Sequence, residues 1–157
     1  GPREDLLEFC ARVRSDDEPL CFNKITPMPD ELVGTEAPPA KRNNKLIEKY
    51  GADNWYDWSV LFWGTKWNVR DVYSNVNKLG HIEVGKHNKS VRNIYYAFST
   101  AWSPSIPIVK KMGEMFQKLS FRLKYWEGGM CFQGILLIKK GKIIKDQTFV
   151  YKGLRGG

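Results

Sequence analysis

A tryptophan-rich segment constrains the fold of this chain more than any other part of its sequence. Residues 50–67 hold four of the six tryptophans, together with two tyrosines and one phenylalanine. Only two acidic residues and one basic residue accompany them. Aromatic surface on this scale is normally buried against the protein or against a partner. The segment therefore predicts a packed helix over about 54–63, with Asp53 or Asn54 as its N-cap and Gly64 ending it.

This helix carries apolar residues on more than one face, so we expect it to be buried on both sides. A later Trp, at position 102, is expected to meet it from the sheet. The predicted structural motif consists of Trp55, Trp58, Trp63, Thr65, Trp67 and Trp102.

The pattern of the remaining chain predicts an α+β protein. Leu6, Phe9, Cys10 and Val13 share one face of a first helix over about 4–14. Loops and short helices follow as an insertion over about 19–67. Strands are predicted at about 68–76, 94–102, 119–126, 130–139 and 142–151, with a helix after Ser103-Pro104-Ser105 between the second and third strands.

This order matches a ferredoxin-like β-α-β-β-α-β unit from its first helix onward, without the opening strand. We predict a single domain over residues 1–152 with a flexible tail at 153–157. Its ferredoxin-like antiparallel sheet has helices on one face and an extra C-terminal hairpin. Three explanations of the missing strand stay open: the strand was cut off, the extra C-terminal strand replaces it, or a second chain supplies it, as in a homodimer.

Three stretches of the sequence resemble the YubB ferredoxin-like family of uncharacterised bacterial, plasmid and phage proteins. They are residues 22–32, residues 50–67, and Thr100-Ala-Trp-Ser-Pro104 with the later Tyr125-Trp-Glu-Gly-Gly-Met130. The resemblance covers about residues 4–140. It implies a ferredoxin-like fold whose members usually begin with a short strand, and it supplies no catalytic residues.

The formal charge of +8 is unevenly distributed along the chain. Residues 1–58 contain 8 basic and 12 acidic residues, whereas residues 59–157 contain 17 and 5. A basic half can attract nucleic acid or an acidic protein, although it can also serve solubility alone. The predicted partner-binding residues on the C-terminal strands are Arg122, Lys124, Trp126, Lys139, Lys142 and Lys145. Tyr95 and Tyr151 could add aromatic surface, and strand lysines could instead protect an edge from aggregation.

No sequence pattern predicts a cofactor or metal. His81 and His87 lie in a polar stretch over 77–90 with only Glu83 near them, which is typical of solvated loop residues. Cys10, Cys21 and Cys131 are too widely spaced for a zinc motif, and reduced thiols in a cytoplasmic protein are expected. No apolar run is long enough for a membrane span.

We therefore interpret the chain as a non-enzymatic binding protein, from a mobile genetic element, that meets an unknown protein or nucleic acid through its basic C-terminal sheet face. One alternative is an enzyme whose acid or base is Asp53, Asp57 or Glu127. Another is a processed fragment of a longer polypeptide, because the end Leu154-Arg-Gly-Gly157 equals the tail of ubiquitin.

Overall fold

A computed structural model describes residues 1–76 and 93–153. The elements are α1 (Arg3–Val13), α2 (Phe22–Ile25), a 3-10 helix (Asp30–Leu32), α3 (Asn44–Tyr50), α4 (Trp55–Trp63), β1 (Arg70–Ser74), β2 (Tyr96–Ser99), α5 (Ile106–Met115), β3 (Ser120–Glu127), β4 (Phe132–Lys139) and β5 (Lys142–Val150). The predicted α+β class is confirmed. The predicted loop over 77–90, its two histidines and the end at 154–157 lie outside the described residues.

The helices begin and end where local chemistry favours it. In α3 and α4 the N-cap asparagines Asn43 and Asn54 accept hydrogen bonds from the backbone N–H groups of Leu46 and Asp57. Both helices end at a glycine in the left-handed region, with φ near +80°. A residue without a Cβ adopts that conformation at little cost, so the predicted helix ends are confirmed.

The strands form two antiparallel ladders. One holds β1 and β2, and the other holds β3, β4 and β5 in that order. Helix α5 packs across one face of the larger ladder, and Gly113 permits the close approach because an added Cβ would lie 2.6 Å from Cγ2 of Ile138. Lys110 on the same helix reaches Asp146 of β5 at 3.4 Å. The expected helix layer on one face of the sheet and the extra C-terminal hairpin are both present.

One hydrophobic core joins the N-terminal helices to the strands. Phe9 of α1 packs against Tyr96, Phe116 and Phe121, with ring centroids 5.2–6.2 Å apart. The ring centroid of Phe22 in α2 lies 6.4 Å from that of Trp63 and 5.9 Å from that of Phe98. The core therefore lies between the helices and the inner face of the strands.

Within the described residues the strands do not form one continuous sheet, because the β1–β2 ladder and the β3–β5 ladder are separate. In the described part of the chain, the only strand paired with β2 is β1, and the only strand paired with β3 is β4. The extra strand β5 pairs with β4 at the far edge of the larger ladder. The explanation that this C-terminal strand takes the missing position is therefore wrong.

Two further expectations need correction. Helix α4 buries Trp58, Ser59 and Trp63 but leaves its middle apolar residues 60–62 at 36–54% exposure, so it is buried on one side only. Strand β2 ends at Ser99, before the predicted 102. Trp102 has a φ of +60°, which ends the alternation and directs its side chain outward, where it is 63% exposed.

Within the described residues, no helix is both long enough and apolar enough to cross a bilayer.

Candidate nucleic-acid interface

The six predicted partner-binding residues lie together on one face of the β3–β5 ladder, which we call the outer face. Burial along β3 alternates strictly, with Phe121, Leu123 and Tyr125 turned toward the core and the residues between them exposed. Residues directly opposite one another in an antiparallel ladder share a face. The register therefore extends the alternation of β3 across the other two strands.

Three rows of the outer face follow from this register. Arg122 lies opposite Leu137, which lies opposite Lys145. Lys139 and Lys142 face each other beside Ser120 at the hairpin end. At the other end the row is Trp126, Gln133 and Phe149.

Charge is segregated between the two faces of these strands, all of whose residues the structure describes. The five basic residues of β3–β5 all occupy outer positions: Arg122, Lys124, Lys139, Lys142 and Lys145. The two acidic residues, Glu127 and Asp146, occupy inner positions, and Asp146 pairs with Lys110 of the covering helix. The outer face is therefore a positive surface without a carboxylate in its own strands.

Aromatic side chains lie beside these cations. Trp126 is 68% exposed and Phe149 is 49% exposed, and they lie in the same row of the ladder. Tyr95 and Tyr73 are 62% and 72% exposed across the gap between β2 and β3. Tyr151 is only half-exposed, and its backbone N–H donates to the carbonyl of Cys131.

Sequence reasoning did not select Phe149 or Tyr73 for this surface. The strands that contain these two residues were predicted, but the face of the strand on which each side chain lies was not. The bulge in the β4–β5 ladder between Leu137 and Ile138 shifts the alternation of β5, so the alternation could not be followed along that strand from the sequence. A second irregularity, between Arg70 and Tyr73, has the same effect in β1.

The predicted structural motif divides into a buried and an exposed part. Trp58 and Trp63 are buried and meet edge to face, with ring centroids 5.5 Å apart. Trp55 and Trp67 are half-buried, and Trp102 is exposed. Of the five tryptophans in the motif, only Trp58 and Trp63 are therefore buried, since the chain turns outward at residue 102 and Trp67 packs beside Trp102.

Thr65 connects the two recognised stretches of sequence. Its hydroxyl is fully buried, donates to the carbonyl of Ala101 at 3.1 Å and accepts from the N–H of the same residue at 2.9 Å. Ser103 donates to the carbonyl of Gly64. The loop after α4 is thereby joined to the loop after β2.

These joined loops present a cluster of cations and rings at the surface. The Lys66 ammonium lies 5.1 Å from the ring centroids of both Trp67 and Trp102, and 5.8 Å from that of Tyr56. Arg70 lies 4.4 Å from the Trp67 ring centroid. Cation–π contacts of this kind stabilise an exposed aromatic group by about 0.5–1 kcal/mol each.

The three acids proposed for catalysis make structural contacts. The Asp53 carboxylate, whose side chain is inaccessible, accepts from the backbone N–H of Asn43 at 2.9 Å and pairs with Arg42 at 2.9 Å. The N–H of Asn43, the amide of Asn54 and the Arg42 guanidinium hold the pKa of Asp53 below its ordinary value, although burial opposes them. A carboxylate with a lowered pKa is a weak general base near neutral pH.

The Asp57 carboxylate lies 3.1 Å from the same Arg42 guanidinium that pairs with Asp53. The Glu127 carboxylate accepts a hydrogen bond from the backbone N–H of Met130 in the turn after β3. In residues 1–76 and 93–153 no group of three or more potential metal ligands comes together. The enzyme alternative therefore has no further support from the geometry of these acids.

Comparison with known families gives one match. The model of the ferredoxin-like domain in Api92-like proteins matches residues 62–151, which include α5 and the five strands of the described residues. Searches of curated proteins and of solved structures gave no match. The match confirms the ferredoxin-like fold expected from the order of elements. It also covers more than half of the 157 residues, and the chain therefore belongs to the family of the ferredoxin-like domain in Api92-like proteins.

Proposed function

We propose that this chain is a non-enzymatic protein that binds single-stranded nucleic acid through the outer face of β3–β5. The observation that carries the proposal is the segregation of charge, with five cations outward and both carboxylates inward. Lysine and arginine on such a surface neutralise phosphates and release counterions. A face that served solubility alone would have no reason to keep its acidic residues on the other side.

Exposed aromatics favour nucleic acid over an acidic protein. Bases stack on aromatic side chains at about 1–3 kcal/mol per base, whatever the sequence. Trp126 lies in the row next to Lys124, so that one nucleotide could stack on the indole while its phosphate meets the ammonium group. An acidic peptide would use the cations but would gain less from the ring. The resemblance to YubB proteins adds the proposal that the chain comes from a mobile genetic element.

Charge reversal tests the electrostatic part. Arg122, Lys124 and Lys142 are changed together to Glu, and binding of a fluorescent oligo-dT of about 20 nucleotides, long enough for one binding site, is measured at several salt concentrations. The slope of log K against log salt should fall in magnitude by about two, since each contact on a single strand contributes about 0.7. Affinity at low salt should fall with it.

A matched control separates the face from net charge. The triple change of Lys24, Lys41 and Lys45 to Glu alters the formal charge equally at exposed positions in the N-terminal half. It should leave most of the affinity intact. Equal losses from both triples would contradict a defined face.

The Trp126→Ala variant tests stacking and separates nucleic acid from an acidic protein. It should weaken oligo-dT binding by about 1–3 kcal/mol, while Trp126→Phe keeps most of the affinity. If Trp126→Ala binds normally and polyglutamate competes as well as oligo-dT, the partner is an acidic protein and the nucleic-acid proposal is wrong.

A further inference from the structure

The exposed indole of Trp102 is held in place by a strained but well-supported backbone. Its φ of +60° is a conformation that bulky residues rarely adopt, and its side chain is 63% exposed. The Thr65 hydroxyl bonds to both backbone groups of the preceding Ala101, and the Thr100 hydroxyl donates to the carbonyl of Ser103 at 2.8 Å. Strained residues that the surrounding structure holds in place cluster at functional sites. The indole is therefore a candidate contact for a partner.

Two cations beside this indole have no acidic partner. The Lys66 ammonium lies between the rings of Trp67 and Trp102, and the Arg70 guanidinium lies over the ring of Trp67. No carboxylate of residues 1–76 and 93–153 forms an ion pair with either cation. Both remain available to phosphate groups of a ligand. We call Lys66, Trp67, Arg70 and Trp102 the loop cluster.

The loop cluster continues the exposed face of the β1–β2 ladder. Positions 95, 97 and 99 along β2 are exposed and alternate with residues that pack against the core. The register places Arg70 and Tyr73 of β1 opposite two of these positions, and opposite residues share a face. Tyr73, Tyr95 and Arg70 therefore lie on one exposed face, and Arg70 connects that face to the loop cluster.

The loop cluster and Trp126 lie at the same end of the strands. Phe9 packs against both Tyr96 and Phe121, which lie at the beginnings of β2 and β3. The two strands therefore begin side by side with their inner faces on the same core, and the crossover through α5 makes them parallel. The loop cluster follows the end of β2, and Trp126 lies near the end of β3.

We propose that the loop cluster is a second contact for the nucleic-acid strand that crosses the outer face, with a base stacked on Trp102 and phosphates held by Lys66 and Arg70. The inference rests on the proposed function and extends the binding surface from the three-stranded ladder to the two-stranded ladder. An indole that stacks a base and two unpaired cations supply the two interactions that single-strand binding combines.

Removal of the two cations tests the electrostatic contact. In the Lys66→Gln/Arg70→Gln variant, the slope of log K against log salt for oligo-dT should fall in magnitude by about 1.4, since each of the two contacts contributes about 0.7. The matched control is Arg12→Gln/Lys24→Gln, which removes the same two charges at exposed positions of α1 and α2. It should keep the slope of the wild type.

Replacement of the ring tests the stacking contact. Trp102→Ala should weaken oligo-dT binding by about 5- to 150-fold, the loss that one stacked base supplies, whereas Trp102→Phe should keep most of the affinity. Far-ultraviolet circular dichroism at the assay temperature verifies that both variants are folded. An oligonucleotide carrying bromodeoxyuridine should also cross-link, under ultraviolet light, to the peptide that contains Trp102 and to the one that contains Trp126.

The outcomes separate this inference from the proposed function. If the loop-cluster variants bind normally while charge reversal on the outer face still weakens binding, the inference is wrong and the proposed function stands. Equal losses from the cation variant and its control would also overturn the inference, because net charge would explain them. Losses from the loop-cluster variants alone would support the loop cluster and contradict the outer face. Failure of the wild type to bind oligo-dT would overturn both.

Discussion

The contrast between Trp58 and Trp102 gives the sharpest test of how the tryptophan-rich motif is packed. Both residues belong to the sequence motif, yet Trp58 is 4% exposed and Trp102 is 63% exposed. Trp58 contacts Phe62 and Trp63, with ring centroids 4.9 and 5.5 Å away. The same substitution at the two positions should therefore have different effects on the free energy of unfolding.

The Trp58→Ala variant should lose about 3–5 kcal/mol, the usual cost of removing a large buried aromatic side chain. At about 2–4 °C per kcal/mol for a chain of this size, its unfolding temperature should fall by about 6–20 °C. Among the described residues, Trp102→Ala loses a ring contact with Trp67, at a centroid distance of 6.0 Å, and a cation–π contact with Lys66. We expect a loss of about 1–2.5 kcal/mol there, which is smaller than the loss at Trp58.

Urea unfolding followed by far-ultraviolet circular dichroism measures both variants without relying on tryptophan fluorescence. Trp58→Phe is the control at the buried site and should recover part of the loss, because it keeps an aromatic ring in the core. Equal destabilisation by Trp58→Ala and Trp102→Ala would refute the reasoning, since the outward turn at residue 102 would then be wrong.

Three further predictions concern stability and reactivity. The Thr65→Val variant should lose about 1–3 kcal/mol in urea unfolding, because the backbone of Ala101 stays buried without its hydroxyl partner. The Thr65→Ser control keeps that hydroxyl and should lose less. The lowered pKa of Asp53 means that its stabilising contribution is complete above its ordinary value of 3.8 and is lost as pH falls through the lower folded value. Acid titration of unfolding should show this loss in the wild type, and Asp53→Asn should show a smaller slope below about pH 4. Burial raises the pKa of the Cys10 thiol, so a thiol reagent at neutral pH should modify half-exposed Cys131 first and Cys10 only on unfolding; equal rates in the folded protein would contradict this.

The positions of α1, α3, α4 and α5 could be predicted because their signals are local, whereas α2 was read as part of an irregular connection. Asn43 and Asn54 cap helices that end at Gly51 and Gly64, and each signal depends on a few neighbouring residues. The spacing of apolar residues in α1 and α5 likewise depends only on the helical repeat. These parts of the fold were predicted to within a few residues.

Exposure of the motif could not be predicted in the same way. The outward turn of Trp102 depends on its positive φ and on the hydrogen bonds that hold the preceding residue, Ala101, to Thr65, 36 positions earlier in the chain. Hydrophobicity suggests burial for every tryptophan, but tertiary contacts decide it. The same holds for residues 60–62 of α4, whose apolar side chains have no neighbouring layer to cover them in the described residues.

The outer face illustrates a third case, in which the residues were predicted but their arrangement was not. Arg122 and Lys124 alternate within one strand, so their common face could be predicted from the strand period of two. The alignment of Lys145 with Arg122 depends on the register and on the bulge in the last ladder. Strand pairing over such sequence separations leaves no local signal.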